Sequence, residues 1–418
     1  MAVRVAASGG VWRVYGLPDL AELWTSTARL PAVDRVIGLD PEQDLIYVLT
    51  KKDELLAADL VGGRIDTVSV DVSLATLGAD GTLYAVDSKH RVVSVKRRTR
   101  FAWPQPLPAP PRDLFPATDQ RLVAVVAGDH PRLLTAGADQ PPAEHDLPFS
   151  GDAAAARYGD VVVVASDSGV AMLDPLGRRR ADFVRLPDHP RAVAFSPSGH
   201  RIYVARRGAP GLAAIDRYAR EEMDGVALPG PAATLRLDPL GRWLLARPAV
   251  GDSAWVVDLP TKQLRGTAAT AWGTDLPAFA PDGSLLVRRG SDVVALTPDS
   301  LKERGRAEGA GGDLWIASAW RPRNLPASAA ATTAAEETAE GGPLWVQVSV
   351  SQNQAWATEN AQQLTRAGMP ARVLPPSAPE DGYRVVIGPY ATRELAEGIG
   401  RKLGRPYWIY QPGAEATP

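Results

Sequence analysis

A strand–turn–strand pattern that returns about every 40 residues constrains this chain more than anything else in it. Residues 191–230 show the unit most clearly. Arg191–Phe195 reads as a short strand, and Ser196-Pro197-Ser198-Gly199 as a turn. Proline presets φ at the second position of that turn, and glycine relieves the last. Arg201–Ala205 is a second strand built on Ile202, Tyr203 and Val204. Leu212–Asp216 is a third, and Val226–Leu228 begins a fourth. One sheet of this size cannot bury both of its faces, so it needs copies of itself on either side.

The copies are present. Turns at Asp40-Pro41, Asp80-Gly81, Asp119-Gln120, Gly159-Asp160, Asp238-Pro239 and Asp282-Gly283 each precede an apolar strand such as Leu45–Leu49, Leu83–Val86 or Leu285–Val287. Four short strands per period of this length specify an all-β propeller. With its SPSG turn, IYVA strand and AAID strand, the stretch 191–230 resembles the YVTN/WD40-like propeller repeats, although the WD dipeptides are missing. That resemblance implies a fold and a binding platform, and no particular chemistry.

The first 33 residues hold three strands and lack the usual first one. It is found at the other end, in Leu314–Trp320, so the two ends are predicted to complete one shared blade and leave no open edge. The count is then about eight blades, with seven as the alternative because the units at 112–148 and 154–187 are irregular. The loops leading into the innermost strands carry Arg35, Arg112, Asp113, His189, Arg191, Asp275 and Asp313. These residues are expected around the channel mouth. They read either as a site for a polar ligand or partner, or as ion pairs and turn caps, and the second needs nothing beyond the repeat.

Composition removes several function classes. There is no cysteine, so disulfides, thiol catalysis and thiolate metal sites are absent. A net charge of −2 gives no pull toward nucleic acid. No apolar run is long enough to span a membrane. The five histidines have no metal-ligand spacing, and no P-loop or G-x-S-x-G is present. No metal and no cofactor is expected.

Residues 324–342 lose their large apolar side chains after Leu325 and become rich in Ala, Thr and Glu, the mark of a linker. Residues 343–413 then change style. Leu344–Val350 alternates, with Trp345, Gln347 and Ser349 on one face. Ala357, Ala361 and Leu364 recur at helical spacing. Ala371–Leu374, Tyr383–Ile387 and Tyr407–Tyr410 read as strands, and Thr392 can cap a second helix bearing Leu395, Ile399 and Leu403. The order βαββαβ predicts a small α+β domain: a four-stranded antiparallel sheet with both helices on one face and the other face open.

The segments Trp345-Val346-Gln347-Val348, Ala367-Gly368-Met369-Pro370-Ala371-Arg372-Val373 and Tyr383-Arg384-Val385-Val386-Ile387-Gly388-Pro389-Tyr390 resemble the SPOR domain. The family usually has glycine and an aromatic after V-Q-V, where this chain has Ser349 and Ser351. The resemblance implies binding of peptidoglycan glycan strands, favouring those stripped of stem peptides. The family's glutamine and arginine fall on Gln347 and Arg384. Sugars present apolar C–H faces and many hydroxyls, so they suit aromatic platforms and planar hydrogen-bonding groups. Trp345, Gln347, Ser349, Arg384, Trp408 and Tyr410 are therefore the candidate glycan-binding residues.

The expected protein is a non-enzymatic bacterial envelope protein, its propeller serving a ligand or an envelope or division protein. The alternatives are a lactonase-like propeller hydrolase localised by the SPOR-like unit, and a scaffold using both units for protein contacts. The N-terminus, Met1-Ala2-Val3-Arg4-Val5-Ala6, reads as a strand with no signal peptide. A peptidoglycan ligand lies outside the cytoplasmic membrane, so a leader or anchor encoded upstream of Ala2 is expected.

Overall fold

The computed structural model describes residues 1–322, 344–366, 369–376, 382–390, 393–402 and 407–410, apart from positions 118, 148, 150, 158 and 177–180. The predicted linker and Thr392 lie outside the described residues. Contacts divide the chain into two compact units, Met1–Pro326 and Ala327–Pro418.

The first unit holds eight four-stranded antiparallel sheets, which are the blades of a propeller. The first blade consists of Glu22–Thr25, Trp12–Tyr15, Ala2–Val5 and, innermost, Leu314–Ala317. The remaining blades follow in order, and the last runs from Ala278 to Ala307. In each, the middle strands are buried on both sides; Leu45–Thr50 is buried at every position. Outer strands are largely exposed, as at Thr99–Ala102. The core is therefore a set of seams. One cluster joins Tyr203 and Leu212 to Leu244 and Val257 of the next blade; another joins Tyr47 and Leu55 to Leu83 and Val95.

The turn chemistry explains why the pattern repeats. Asp238 is buried, and its carboxylate accepts the N–H groups of Leu240 and Trp243 at 3.3 and 2.8 Å. Ser196 Oγ does the same for Arg201 N–H at 3.0 Å. The glycine that follows sits at positive φ, +72° at Gly199 and +77° at Gly241, where a Cβ is strained. The recurrent Asp at the end of the third strand is a second cap. Asp59 accepts from the N–H groups of Val61 and Gly62, and Asp216 from those of Tyr218 and Ala219.

Ring closure pairs Ala2↔Ala317 through Val5↔Leu314 in antiparallel register. Tryptophans lock it. Trp12, Trp315 and Trp320 are almost wholly buried. The indole N–H groups of Trp12 and Trp24 both donate to the Leu60 carbonyl, and that of Trp320 donates to Asp44 Oδ1 at 2.7 Å. Trp24 and Trp320 meet edge to face at 5.8 Å, and Tyr15 and Trp315 lie 5.1 Å apart.

The second unit is a four-stranded antiparallel sheet with two helices. Its strands, in sheet order, are Ala371–Leu374, Tyr383–Tyr390, Leu344–Ser351 and Trp408–Tyr410. The helices are Gln354–Arg366, capped by Asn353 Oδ1 accepting Trp356 N–H, and Arg393–Lys402. Small residues, Ala357, Ala361 and Ala396, let both helices sit close to Val346, Val385 and Ile387 on one sheet face.

Cutting the chain after Gly311 removes the innermost strand of the first blade. The expected outcome is aggregation on gel filtration and a lower Tm, because two edges and a tryptophan seam are exposed. A chain ending at Pro326 should keep the propeller's melting transition. A Gly311 truncation that stays monomeric with an unchanged Tm would contradict closure through this strand.

Candidate functional site

The candidate residues fall in two regions, one in each unit. In the second unit the register places four residues in one row across the sheet. Arg372 pairs with Val386, Val386 with Gln347, and Gln347 with Trp408. Directly paired residues share a face. Val385 and Ile387, the neighbours of Val386, belong to the helix-side core, so the row lies on the face the helices leave open. Arg384 pairs with Leu374 and shares that face. Trp408 is 71% exposed, Arg372 is exposed, and Gln347 and Arg384 are half-buried. A hollow of about 350 Å³ opens beside Trp408 at the sheet's edge, lined also by Glu397, Tyr407 and Ile409.

One of the predicted face residues lies on the other face from the reading by alternation, and a second is covered. Ser349 turns to the helix side. A β-bulge between Gln347 and Ser349 inserts Val348 as an extra residue, so Ser349 pairs with the core residue Val385. Its hydroxyl accepts a hydrogen bond from Asn360 Nδ2 of the first helix at 2.9 Å. Val350, half exposed, takes the position opposite Arg384. Trp345 keeps the expected face but is only 2% exposed, so its ring is no open platform. The Arg372 guanidinium lies over it, Cζ 3.6 Å from the ring centroid, and among the described residues the indole N–H has no acceptor. Tyr410 pairs with Trp345 through its backbone; its side chain lies outside the described residues.

Arg372 is the residue that sequence reasoning passed over. It stands in a short Ala-Arg-Val-Leu strand whose alternation is visible. Its pairing with Val386, and so its membership of the row, depends on register.

In the propeller, two of the seven predicted mouth residues, Asp275 and Arg112, reach a neighbouring blade. Asp275 is buried and binds Arg288 Nη2 at 2.7 Å; the same oxygen accepts Trp315 N–H at 2.8 Å, in the closing strand. Asp313 binds Arg4 Nε at 2.6 Å and accepts Ala7 N–H. Asp275 and Asp313 are thus both engaged at the closing seam. Arg112 holds Asp113 and donates to the Gly151 carbonyl of the next blade. Arg35 pairs with its neighbour Asp34, while His189 and Arg191 are exposed. Asp152, unmarked by the sequence, accepts Val193 N–H of the following blade at 3.0 Å.

Electrostatics follow this arrangement. Burial raises the Asp152 pKa, with the Val193 N–H acting against it and nearby Asp113 adding to it. Burial lowers the Arg236 pKa, opposed by Asp275 and reinforced by Arg288. At Arg4 burial works against the charge, but the bonds to Tyr15 and Asp313 outweigh it and raise the pKa. Among the described residues no three His, Asp or Glu side chains gather as a metal site would require.

Residues 340–405 match the family model of the SPOR domain. SPOR domains are peptidoglycan-binding modules of the cell envelope, and one here supports a peptidoglycan-binding envelope protein. No curated protein matches the chain. Among solved structures, dihydro-heme d1 dehydrogenase NirN in complex with DHE is similar at 14% identity, over 75% of this chain and 74% of that one, with a TM-score of 0.56. AztD of Citrobacter koseri is similar at 11% identity, over 77% and 99%, with a TM-score of 0.55. A eukaryotic initiation factor is similar at 11% identity, over 77% and 88%, with a TM-score of 0.52. These likenesses establish the propeller fold and nothing about its ligand.

Removing one partner of a buried ion pair leaves the other charged and uncompensated, at about 3–5 kcal/mol. Asp275→Ala is therefore expected to destabilise the propeller by about 3 kcal/mol in chemical denaturation. Arg191→Ala, at an exposed position, should change stability by less than about 0.5 kcal/mol. Equal effects would refute the division into staples and surface residues.

Proposed function

We propose that the open face of the C-terminal sheet binds peptidoglycan glycan strands, preferring strands stripped of stem peptides, and that the propeller is a non-enzymatic platform for an envelope partner. The observation that carries this reading is the row Arg372–Val386–Gln347–Trp408 on the helix-free face of a SPOR domain. Gln347 can donate to and accept from hydroxyl and acetamido groups. Trp408 offers an exposed ring for the C–H face of a sugar. Arg384 offers a planar fork of donors. A glycan ligand implies an envelope or periplasmic location for the protein.

The full chain should co-sediment with purified sacculi, and more so after an amidase has removed the stem peptides. Residues 1–326 alone should stay in the supernatant. A neutral hydrogen bond is worth about 0.5–1.5 kcal/mol and a charged one about 1.5–3. Gln347→Ala should then weaken binding a few-fold, and Arg384→Ala roughly tenfold or more. Trp408→Ala should weaken it too, while Ser349→Ala, on the helix side, should bind as wild type. A chain that ignores stripped sacculi, or binds them equally well after Gln347→Ala and Trp408→Ala, would overturn the reading.

A further inference from the structure

The open face carries two guanidinium groups, and their arrangement points to a specific chemical feature of the glycan. Arg372 and Arg384 stand on adjacent strands. Arg372 is paired with Val386, two residues along from Arg384, which makes the two arginines diagonal neighbours on one face, their Cα atoms roughly 7–8 Å apart by sheet geometry. The Arg372 guanidinium lies over Trp345, its Cζ 3.6 Å from the ring centre. Stacking of this kind fixes the plane of the fork and leaves its N–H edges pointing outward. The indole is therefore buried as a support for Arg372 rather than displayed to a sugar.

A fixed guanidinium with outward donors suits a carboxylate, which it can bind through two parallel charge-assisted hydrogen bonds. An intact glycan strand offers no carboxylate on its sugars: each lactyl group is tied to its stem peptide as a neutral amide. An amidase hydrolyses that amide. Water supplies the hydroxyl to the acyl carbon, the peptide leaves as the amine, and the sugar keeps a lactyl carboxylate at neutral pH. We infer that Arg372, supported by Trp345, reads this lactyl carboxylate, so that the face recognises stripped glycan by charge. This rests on the glycan-binding reading above. The arrangement also orders the site, with carboxylate at Arg372, hydroxyl or acetamido groups at Gln347, and a sugar face at Trp408. Three inter-strand steps give about 14 Å from one end of the row to the other.

The test uses the full chain and amidase-stripped sacculi in two forms: untreated, or with the lactyl carboxylates converted to neutral methylamides by carbodiimide and methylamine. Wild type is expected to bind the capped form roughly tenfold more weakly or worse. Its binding to the untreated form should fall as salt is raised. Arg372→Gln should bind both forms alike, at the level wild type shows on capped glycan. Arg372→Lys, which keeps the charge but not the fork, should retain part of the preference. Equal binding of wild type to both forms would overturn carboxylate reading while leaving glycan binding in place. Full preference in Arg372→Gln would remove Arg372 as the reader. Failure of wild type to bind either form would take down this inference together with the reading beneath it.

Discussion

The propeller depends on one strand pairing between residues more than 300 positions apart, Ala2–Val5 with Leu314–Ala317. Every blade buries its faces against two neighbours, and no blade has a core of its own. An open ring would leave one flank uncovered and two strand edges unpaired. The charges around this seam follow from the same need. Asp275 and Asp313 tie Arg288 and Arg4 to the closing strand. The loops that remain free to meet a partner are carried on a closed ring of stacked sheets.

The C-terminal sheet is built on the opposite principle. It buries one face against two helices, and no described helix covers the other. Small helix residues bring both helices onto Val346, Val385 and Ile387. The Gln347–Ser349 bulge sends Val348 and Ser349 to that side and brings Val350 to the other. Trp408 stays largely in water, an unfavourable place for the largest side chain unless something covers it in use. Val386, at the centre of the open face, is itself buried beneath its neighbours.

Local chemistry made most of the fold readable from sequence. The turns are capped by the residue that opens them, as at Asp238 and Ser196, and the strands alternate within a few residues. Shared-blade closure was readable because a missing first strand at one end matched a spare strand at the other. The site was readable only in part. Gln347, Arg384 and Trp408 follow from alternation along their own strands. Ser349 does not, because a bulge is set by the partner strand and by Asn360, eleven residues away. Trp345 does not either: nothing in its own strand shows that an arginine two strands over will cover its ring.

Arginine has opposite roles in the two units, and burial separates them. Arg288 directs its donors inward, to Asp275 and to the carbonyls of Gly311 and Asp313, and its side chain is 13% exposed. Such an arginine is committed to the fold, since any ligand would have to displace backbone acceptors from it. Arg372 is held through the face of its guanidinium, by a ring that accepts no hydrogen bond from it in the plane of the fork. An arginine fixed by stacking is oriented without its edge donors being consumed. The same residue type therefore closes the propeller where its edges are satisfied and stays exposed on the sheet where a ring holds its face.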